Sequence, residues 1–325
     1  MADKLLLAAR TFRKTEGPHW GLLRDAGYDL IESPYDRPLK AEEVAALATE
    51  VTGIILGVDQ ISEVVFQQAK QLKAVSRYGV GLDNIDLAAA TRHGVVVTST
   101  PGANSLAVAE LTIGLILALA RHIPRHDQLV KAGSWQRIQG AEIAGETLGL
   151  VGFGNIGRHV AKRALAFDMR ILYYDPFPPP PALLETMPVE ASSLQRLLKE
   201  SDVVSLHLPL TADTRNLIDA QALLLMKPTA TLINSARGGL IDELALYQAL
   251  ANGHLAGAAC DAFAQEPPGE NPLLTLDNFI ATPHSGAATH QTAHRTSLLA
   301  AENLLAVLRG ERPNSVVNPE VFKTL

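Results

Sequence analysis

Short hydrophobic runs alternate with segments of helical spacing along the first hundred residues. The runs cover residues 5–8, 53–56, 74–76 and 95–97. Strands of a parallel sheet are buried on both faces, so they read as continuous apolar runs separated by crossover helices. The pattern therefore predicts a doubly wound parallel sheet.

A second series of such runs covers residues 148–151, 171–174, 203–206, 231–233 and 256–259. It predicts a second doubly wound sheet, so the expected fold class is α/β with two parallel-sheet domains. Residues 106–121, between the two series, have a helical pattern that is apolar nearly all round, which indicates a central core helix, a dimer contact, or both. A last helical pattern over residues 289–309 is expected to return to the first domain.

Composition narrows the classes of function. The chain has 325 residues, 47% hydrophobic and 19% charged, enough for a sizeable core and two domains. Its net charge is −6 without a basic run, so nucleic acid is not an expected partner. The N-terminal segment lacks a signal-peptide pattern, and the longest apolar run is too short to span a membrane. With a single cysteine, Cys260, the sequence predicts a cytoplasmic protein that does not bind membranes.

A glycine-rich turn follows the first strand of the second series. Residues 152–157 read Gly-Phe-Gly-Asn-Ile-Gly and lead into a helical pattern. In such a turn Gly152 permits the tight bend, Gly154 lets the backbone approach a pyrophosphate, and Gly157 lets the helix pack on the strand. The phosphates would then lie at the helix N-terminus.

Asp175 ends the next predicted strand, where a carboxylate can bind the hydroxyls of an adenosine ribose. A carboxylate repels a 2′-phosphate, and no basic residue follows Asp175 to receive one. The combination predicts NAD rather than NADP as cofactor. The alternative is a tight glycine turn with an unrelated surface aspartate.

Three further segments place ionisable residues just after predicted strands, at the sheet edge where ligands bind. They supply Arg237, Glu266 and His284. Reduction of a 2-keto acid requires a cation for the carboxylate and a proton donor for the carbonyl oxygen, which an arginine and a histidine provide. Glu266, if it reaches the imidazole, would orient the ring and favour its protonated form. Individually, a surface arginine, a solvated turn glutamate and a non-catalytic histidine remain alternatives. No metal is expected.

From about residue 76 to 318 the chain resembles the D-isomer-specific 2-hydroxyacid dehydrogenase family, in the motifs at residues 152–157, 207–214, 234–239, 261–267 and 282–284. The resemblance implies Arg237, Glu266 and His284 as the catalytic residues. It implies cofactor contacts from Asn155 and Ile156 at the pyrophosphate, Asp175 at the ribose, and Leu208, Ser235, Ala236 and Asp261 around the nicotinamide ribose and carboxamide.

The same resemblance implies a domain organisation. Residues 1–100 and 287–325 would form a flavodoxin-like substrate-binding domain, and residues 101–286 a Rossmann NAD-binding domain, with a cleft between them. In the first domain Arg77, Tyr78, Gly79 and Val80 match the family's glycine loop, whose amides from Tyr78 to Val80 would bind the substrate carboxylate. The resemblance also implies a homodimer formed through the cofactor domain.

Within the family the chain is most similar to the D-3-phosphoglycerate dehydrogenase branch, without its C-terminal regulatory domain, and Arg77 lies where that branch has a phosphate-facing arginine. Gly57 stands where a second arginine is usual. The similarity to that branch makes D-3-phosphoglycerate or a related C3 acid the expected substrate. The absence of the second arginine keeps a glyoxylate or hydroxypyruvate reductase as the alternative function. An alternative of another class is an NAD-sensing protein similar to transcriptional corepressors.

Overall fold

Two parallel sheets organise the chain. The computed structural model describes residues 3–177, 179–184 and 187–323. Residues up to Asn104 and those from Ala288 onward form one unit, and Ser105–Ala287 form the other. We call these the terminal unit and the central unit. Each contains one sheet with crossover connections, so the predicted fold class is confirmed.

The terminal unit has a five-stranded sheet in the order β2-β1-β3-β4-β5, with every pair parallel. This is the flavodoxin-like strand order. Sequence reasoning missed β2, an edge strand whose residues are partly exposed and form no apolar run. The strands are β1 (Lys4–Leu7), β2 (Asp29–Glu32), β3 (Val51–Leu56), β4 (Ala74–Arg77) and β5 (Val96–Thr98).

The helices of the terminal unit bury the apolar faces of this sheet. They are α1 (Arg10–Lys14), α2 (Pro18–Asp25), α3 (Ala41–Leu47), α4 (Glu63–Gln68), α5 (Leu87–Arg92) and, numbered in chain order, α13 (His290–Leu308). Helix α13 packs Ala300, Leu304 and Leu305 into the same core as Leu5 and Phe12. The chain after α13 then pairs with β5, where the Val317 amide donates to the Val97 carbonyl at 2.9 Å.

The central unit has a seven-stranded parallel sheet in the order β12-β11-β10-β9-β6-β7-β8. The order reverses beside β6, which creates the switch point where ligands bind in such sheets. The pattern missed β8 and β12, which have three residues each and lie at the two edges. The strands are β6 (Thr147–Val151), β7 (Arg170–Tyr174), β8 (Val189–Ala191), β9 (Val203–Leu206), β10 (Thr231–Asn234), β11 (Gly257–Cys260) and β12 (Phe279–Ala281).

Helix α6 (Ser105–Ala120) is the predicted apolar helix, and nine of its side chains are buried in the central unit against β10, β11 and the helix that follows the glycine turn. Its role as a core helix is thus clear. Among the described residues no single helix is long and apolar enough to cross a membrane, although α6 and the helix Ile123–Lys131, bent by 62° relative to each other, pass that test together by length and composition. The remaining helices are α7 (Ile123–Lys131), α8 (Asn155–Leu165), α9 (Pro181–Leu184), α10 (Leu194–Glu200), α11 (Ala220–Leu225) and α12 (Glu243–Ala251).

Candidate active site

In the glycine turn between β6 and α8, two of the three glycines have no room for a side chain and the third has free space beside it. A Cβ on Gly152, whose φ is +105°, would lie 2.6 Å from the backbone carbon of His207, and a Cβ on Gly157 would lie 2.3 Å from the Gly152 carbonyl oxygen. A Cβ on Gly154 would meet nothing within 4 Å. Strand and helix therefore leave space beside the middle glycine, at the N-terminus of an 11-residue helix. This space has room for a dinucleotide pyrophosphate, and Asn155 and Ile156 are the first two residues of the helix beside it.

Asp175 follows β7 and is held against the glycine turn. Its Oδ2 accepts the Phe153 amide at 2.7 Å, and its Oδ1 accepts the Phe177 amide at 2.8 Å. Each carboxylate oxygen has two lone pairs, so both can still accept from a ribose hydroxyl. The carboxylate thus fixes the turn and can also take the predicted role at the ribose.

The other predicted cofactor residues lie at the same edge of the sheet, because the carboxyl ends of parallel strands coincide. Leu208 follows β9, Ser235 and Ala236 follow β10, and Asp261 follows β11. The buried Ser235 hydroxyl lies 2.8 Å from the hydroxyl of Thr112 on α6. The core helix therefore fixes the rotamer of a side chain at the cofactor edge.

His207 is a feature that reasoning from residue chemistry did not single out. Its Nε2 lies 2.9 Å from the Ser205 hydroxyl, while its buried Nδ1 has no partner among the described residues. Burial lowers the pKa of His207 to about 3, so the ring stays neutral near pH 7. Its place at the end of β9, against the glycine turn, was the signal that could have drawn attention to it.

Glu266 and His284 are in direct contact. The imidazole Nδ1 lies 2.8 Å from Oε2 and 2.9 Å from Oε1 of the carboxylate. Glu266 Oε1 also accepts the Phe263 amide at 3.1 Å, which orients the carboxylate. Nε2 of His284 has no hydrogen bond to any residue that the structure describes. The pair therefore fixes the orientation of the ring and leaves its other nitrogen directed away from the carboxylate.

His284 has a φ of +50°, in the left-handed region that non-glycine residues seldom adopt. The buried carboxylate of Asp261 holds this turn. Its Oδ1 accepts the Thr282 hydroxyl at 2.6 Å and the Ser285 amide at 2.7 Å, and its Oδ2 accepts the Gly286 amide at 2.8 Å. Asp261, which the resemblance places with three other residues around the nicotinamide ribose and carboxamide, thus anchors the histidine turn as well.

Arg237 lies in the turn after β10, and the buried Asn234 shapes that turn. The Asn234 amide donates to the Arg237 carbonyl at 2.8 Å, and its Oδ1 accepts the Ala236 amide at 3.1 Å. A Cβ on Gly238 would lie 1.9 Å from the carbonyl carbon of Phe263. The backbone after Arg237 therefore packs directly on the segment that carries Glu266.

In the terminal unit the glycine loop differs from expectation. Two of the three amides predicted to bind the substrate carboxylate are paired within the unit: Tyr78 donates to the Leu56 carbonyl at 2.7 Å, and Gly79 donates to the Thr100 hydroxyl at 2.8 Å. The predicted set of three donors is thus reduced to Val80, whose amide has no hydrogen bond to a described residue. The loop can offer a carboxylate fewer donors than its sequence suggested.

Arg77 also has contacts within this loop. Its Nε donates to the Gly81 carbonyl at 2.9 Å, and its Nη1 donates to the Tyr78 carbonyl. A guanidinium in this position braces the loop from inside. The expectation that Arg77 faces a substrate phosphate receives no support from these contacts.

Comparison with known proteins identifies the family. Residues 113–286 match the D-isomer specific 2-hydroxyacid dehydrogenase, NAD binding domain. The chain is 48% identical over 262 residues to a D-3-phosphoglycerate dehydrogenase of Methanocaldococcus jannaschii, covering 80% of this chain and 50% of that protein. It is 42% identical over 314 residues to a glyoxylate reductase of Thermofilum pendens, covering 94% and 93%.

Among solved structures, a glyoxylate reductase from Paecilomyes thermophila matches with a TM-score of 0.88 and 32% identity, covering 98% of this chain and 99% of that one. The predicted enzyme class, an NAD-dependent 2-hydroxyacid dehydrogenase, and NAD as its cofactor are confirmed. The chain belongs to the D-isomer-specific 2-hydroxyacid dehydrogenase family.

Proposed function

We propose that this protein interconverts a small 2-keto acid and the corresponding D-2-hydroxy acid. The observation that carries the proposal is the contact of His284 Nδ1 with both oxygens of Glu266, which leaves Nε2 for the substrate. The bound cofactor supplies or accepts the hydride at C2. The residues of the chain bind the acid and manage the proton.

In the reductive direction, Nε2 of His284 donates its proton to the carbonyl oxygen as C2 is reduced. Glu266 stabilises the imidazolium before that transfer and keeps Nε2 directed outward. Arg237 binds the carboxylate and the carbonyl oxygen, and its positive charge stabilises the developing alkoxide. In the oxidative direction the neutral ring accepts the proton from the hydroxyl.

The cofactor contacts are part of the proposal. Gly152, Gly154 and Gly157 form the turn, Asn155 and Ile156 bind the pyrophosphate, and Asp175 binds the adenosine ribose. Leu208, Ser235, Ala236 and Asp261 are proposed to surround the nicotinamide ribose and carboxamide. The terminal unit is proposed to bind the substrate through its glycine loop, with Val80 as the amide donor.

For the substrate we propose hydroxypyruvate or glyoxylate ahead of a phosphorylated C3 acid. Two nitrogens of Arg77 donate to carbonyls of its own loop. After β3, where a second cation would be expected, Gly57 donates its amide to the buried carboxylate of Asp59 at 2.9 Å. Two nitrogens of Arg77 are therefore committed to loop carbonyls and no cation stands at position 57, so a phosphate would meet fewer charged donors here than two arginines would offer. The similarity to a phosphoglycerate dehydrogenase keeps 3-phosphoglycerate as the second candidate.

The test is NADH oxidation with hydroxypyruvate, glyoxylate, 3-phosphohydroxypyruvate, pyruvate and 2-oxoglutarate. We expect kcat/KM for hydroxypyruvate or glyoxylate to exceed that for the phosphorylated acid at least about tenfold. His284→Ala should lower kcat by about 10²–10⁴-fold. The control is His254→Gln, since His254 precedes β11 at the opposite edge of the sheet and contacts the Leu223 carbonyl.

Three results would contradict this proposal. Retention of full activity in His284→Ala would remove the proton donor. A preference for the phosphorylated acid would reverse the order of substrates. NADH binding with no turnover of any acid would favour the corepressor-like alternative.

Arg77→Ala separates the two roles of that arginine. If the guanidinium braces the loop, the KM should rise by a similar factor for hydroxypyruvate and for 3-phosphohydroxypyruvate. If it binds phosphate, the KM of the phosphorylated acid should rise selectively, by about tenfold or more, because a charged hydrogen bond is lost. Steady-state kinetics with both acids decide between these outcomes.

We also propose a cytoplasmic homodimer formed through the central unit. Helix α7 buries none of its side chains, and Ile123, Val130 and Trp135 are exposed, Trp135 by 82%. A second copy of this chain would cover such a surface. Light scattering should give twice the chain mass, and Val130→Asp with Trp135→Ser should give the monomer mass. Cell fractionation tests the location.

A further inference from the structure

A carboxylate on α12 contacts the segment that carries Glu266. We propose that Glu243 is a positioning residue that holds residues 264–271 so that Glu266 meets His284. This inference rests on the proposed function of that pair. Glu243 contacts neither Glu266 nor His284 directly. It acts through the backbone that flanks Glu266, from Ala264 to Asn271.

Both carboxylate oxygens of Glu243 accept hydrogen bonds from this segment. Oε1 accepts the Ala264 amide at 2.6 Å, and Oε2 accepts the Asn271 side-chain amide at 2.7 Å. Asn271 in turn accepts the amide of the fully buried Leu273 at 3.0 Å. Glu243 therefore fixes both ends of the segment, two residues before Glu266 and five residues after it.

The segment has few other constraints. Residues 262–270 form no helix or strand and make no backbone-to-backbone hydrogen bond with any described residue. They are held by the burial of Ala262 and Phe263, the packing of Gly238 on Phe263, the hydrogen bonds of Glu266 to the Phe263 amide and the His284 ring, and the two hydrogen bonds to Glu243. Hydrogen bonds to an ionised carboxylate are stronger than neutral ones. Loss of Glu243 should thus let the Glu266 carboxylate move relative to the imidazole.

The position of Glu243 in the chain adds to its effect. It is the first residue of α12, and residues 240–242 separate this helix from the turn that follows Arg237. The adjacent Asp242 caps the helix by accepting the amides of Leu244 and Ala245 at 3.0 Å. Because the cap is supplied by Asp242, the carboxylate of Glu243 is available to the neighbouring segment.

Three variants test the proposal. Glu243→Ala removes both hydrogen bonds and should lower kcat about tenfold, since small displacements of catalytic groups cost this much or more. Glu243→Gln keeps an acceptor for Ala264 but places an amide against the Asn271 amide, so its loss should be smaller. Glu243→Gln combined with Asn271→Asp exchanges donor and acceptor across that bond, and the introduced carboxylate can still accept from Leu273. The pair should return kcat to within about twofold of the wild type.

A positioning role differs from a purely structural one in that the effect of Glu243→Ala on kcat should depend on the Glu266 carboxylate. In a Glu266→Gln background, Glu243→Ala should lower kcat less than twofold, because the contact that it serves is already weakened. The Kd for NADH should stay within about twofold throughout. Equal losses of kcat in both backgrounds would overturn the proposal, as would a loss of thermal stability without a loss of kcat.

A second measurement does not depend on turnover. The rate at which diethyl pyrocarbonate modifies His284, followed by peptide mass spectrometry, should rise in Glu243→Ala and in Glu266→Gln by similar factors. It should return to the wild-type rate in the Glu243→Gln, Asn271→Asp pair. An unchanged rate in Glu243→Ala would refute the positioning role. Failure of the wild type to reduce any 2-keto acid would refute the proposed function instead.

Discussion

Gly154→Ala separates cofactor binding from folding at the glycine turn. The added methyl group meets no atom within 4 Å, and the φ of −71° at this position suits alanine. Gly154 is also the N-cap of α8, where alanine is worse than glycine by about 0.5–1 kcal/mol. For a unit of this size, that cost lowers the thermal midpoint by about 1–4 °C.

The same methyl group would occupy the space assigned to the pyrophosphate. Loss of one backbone hydrogen bond to a charged phosphate oxygen costs about 1.5–3 kcal/mol. Since about 1.4 kcal/mol corresponds to tenfold in affinity, the Kd for NADH should rise about 10- to 100-fold. Without cofactor, the thermal midpoint should fall only by the roughly 1–4 °C expected from the N-cap change.

Gly157→Ala is the matched control, because its Cβ would lie 2.3 Å from the Gly152 carbonyl oxygen. The helix must then move away from the strand, at a cost of about 3 kcal/mol and about 6–12 °C in the thermal midpoint. Fluorescence titration with NADH and thermal unfolding without cofactor measure both effects. An unchanged Kd in Gly154→Ala, or equal destabilisation of the two variants, would show that the turn does not cradle phosphate in this way.

Three further predictions concern the central unit. Burial lowers the pKa of His207 from 6.5 to about 3, so the unfolded chain takes up a proton below pH 6.5 that the folded protein does not, and the folded state loses stability there. In urea titrations the wild type should therefore lose about 2 kcal/mol more unfolding free energy between pH 7 and pH 5 than His207→Gln does. Gly238→Ala forces a methyl group to 1.9 Å from the Phe263 backbone and should lower kcat at least about 100-fold in steady-state assays. Asp261→Asn turns an amide toward donors of the His284 turn and should lower kcat more than about tenfold, with a normal circular dichroism spectrum.

Much of the fold could be predicted because its central strands are buried on both faces. Strands such as β6 and β9 have every residue buried, so each appears as an apolar run. The edge strands β2, β8 and β12 are short and partly exposed, and their residues resemble those of a loop. Their pairing depends on the neighbouring strand, which a local pattern does not contain.

The residues of the candidate site likewise fall into those that the sequence predicts and those that only the structure identifies. The glycine turn was predictable because each glycine is required by local sterics. The structure agrees, since a Cβ on Gly152 or Gly157 would collide with neighbouring backbone atoms. Glu243 was not predictable, because an acidic residue in the first turn of a helix is sufficiently explained by the helix dipole. Its bonds to Ala264 and Asn271 join residues more than 20 positions apart. Residue type indicated the chemistry, and tertiary contacts determined which groups carry it.

The glycine loop of the terminal unit shows how this distinction bears on the substrate. An arginine and three successive amides suggest an anion site when only residue types are considered. The structure pairs the Tyr78 and Gly79 amides with the Leu56 carbonyl and the Thr100 hydroxyl, and directs two nitrogens of Arg77 to loop carbonyls. Donors that are already paired add little to the binding of a second anion, because each new hydrogen bond requires an old one to break. These pairings are the reason that we propose hydroxypyruvate or glyoxylate ahead of a phosphorylated acid.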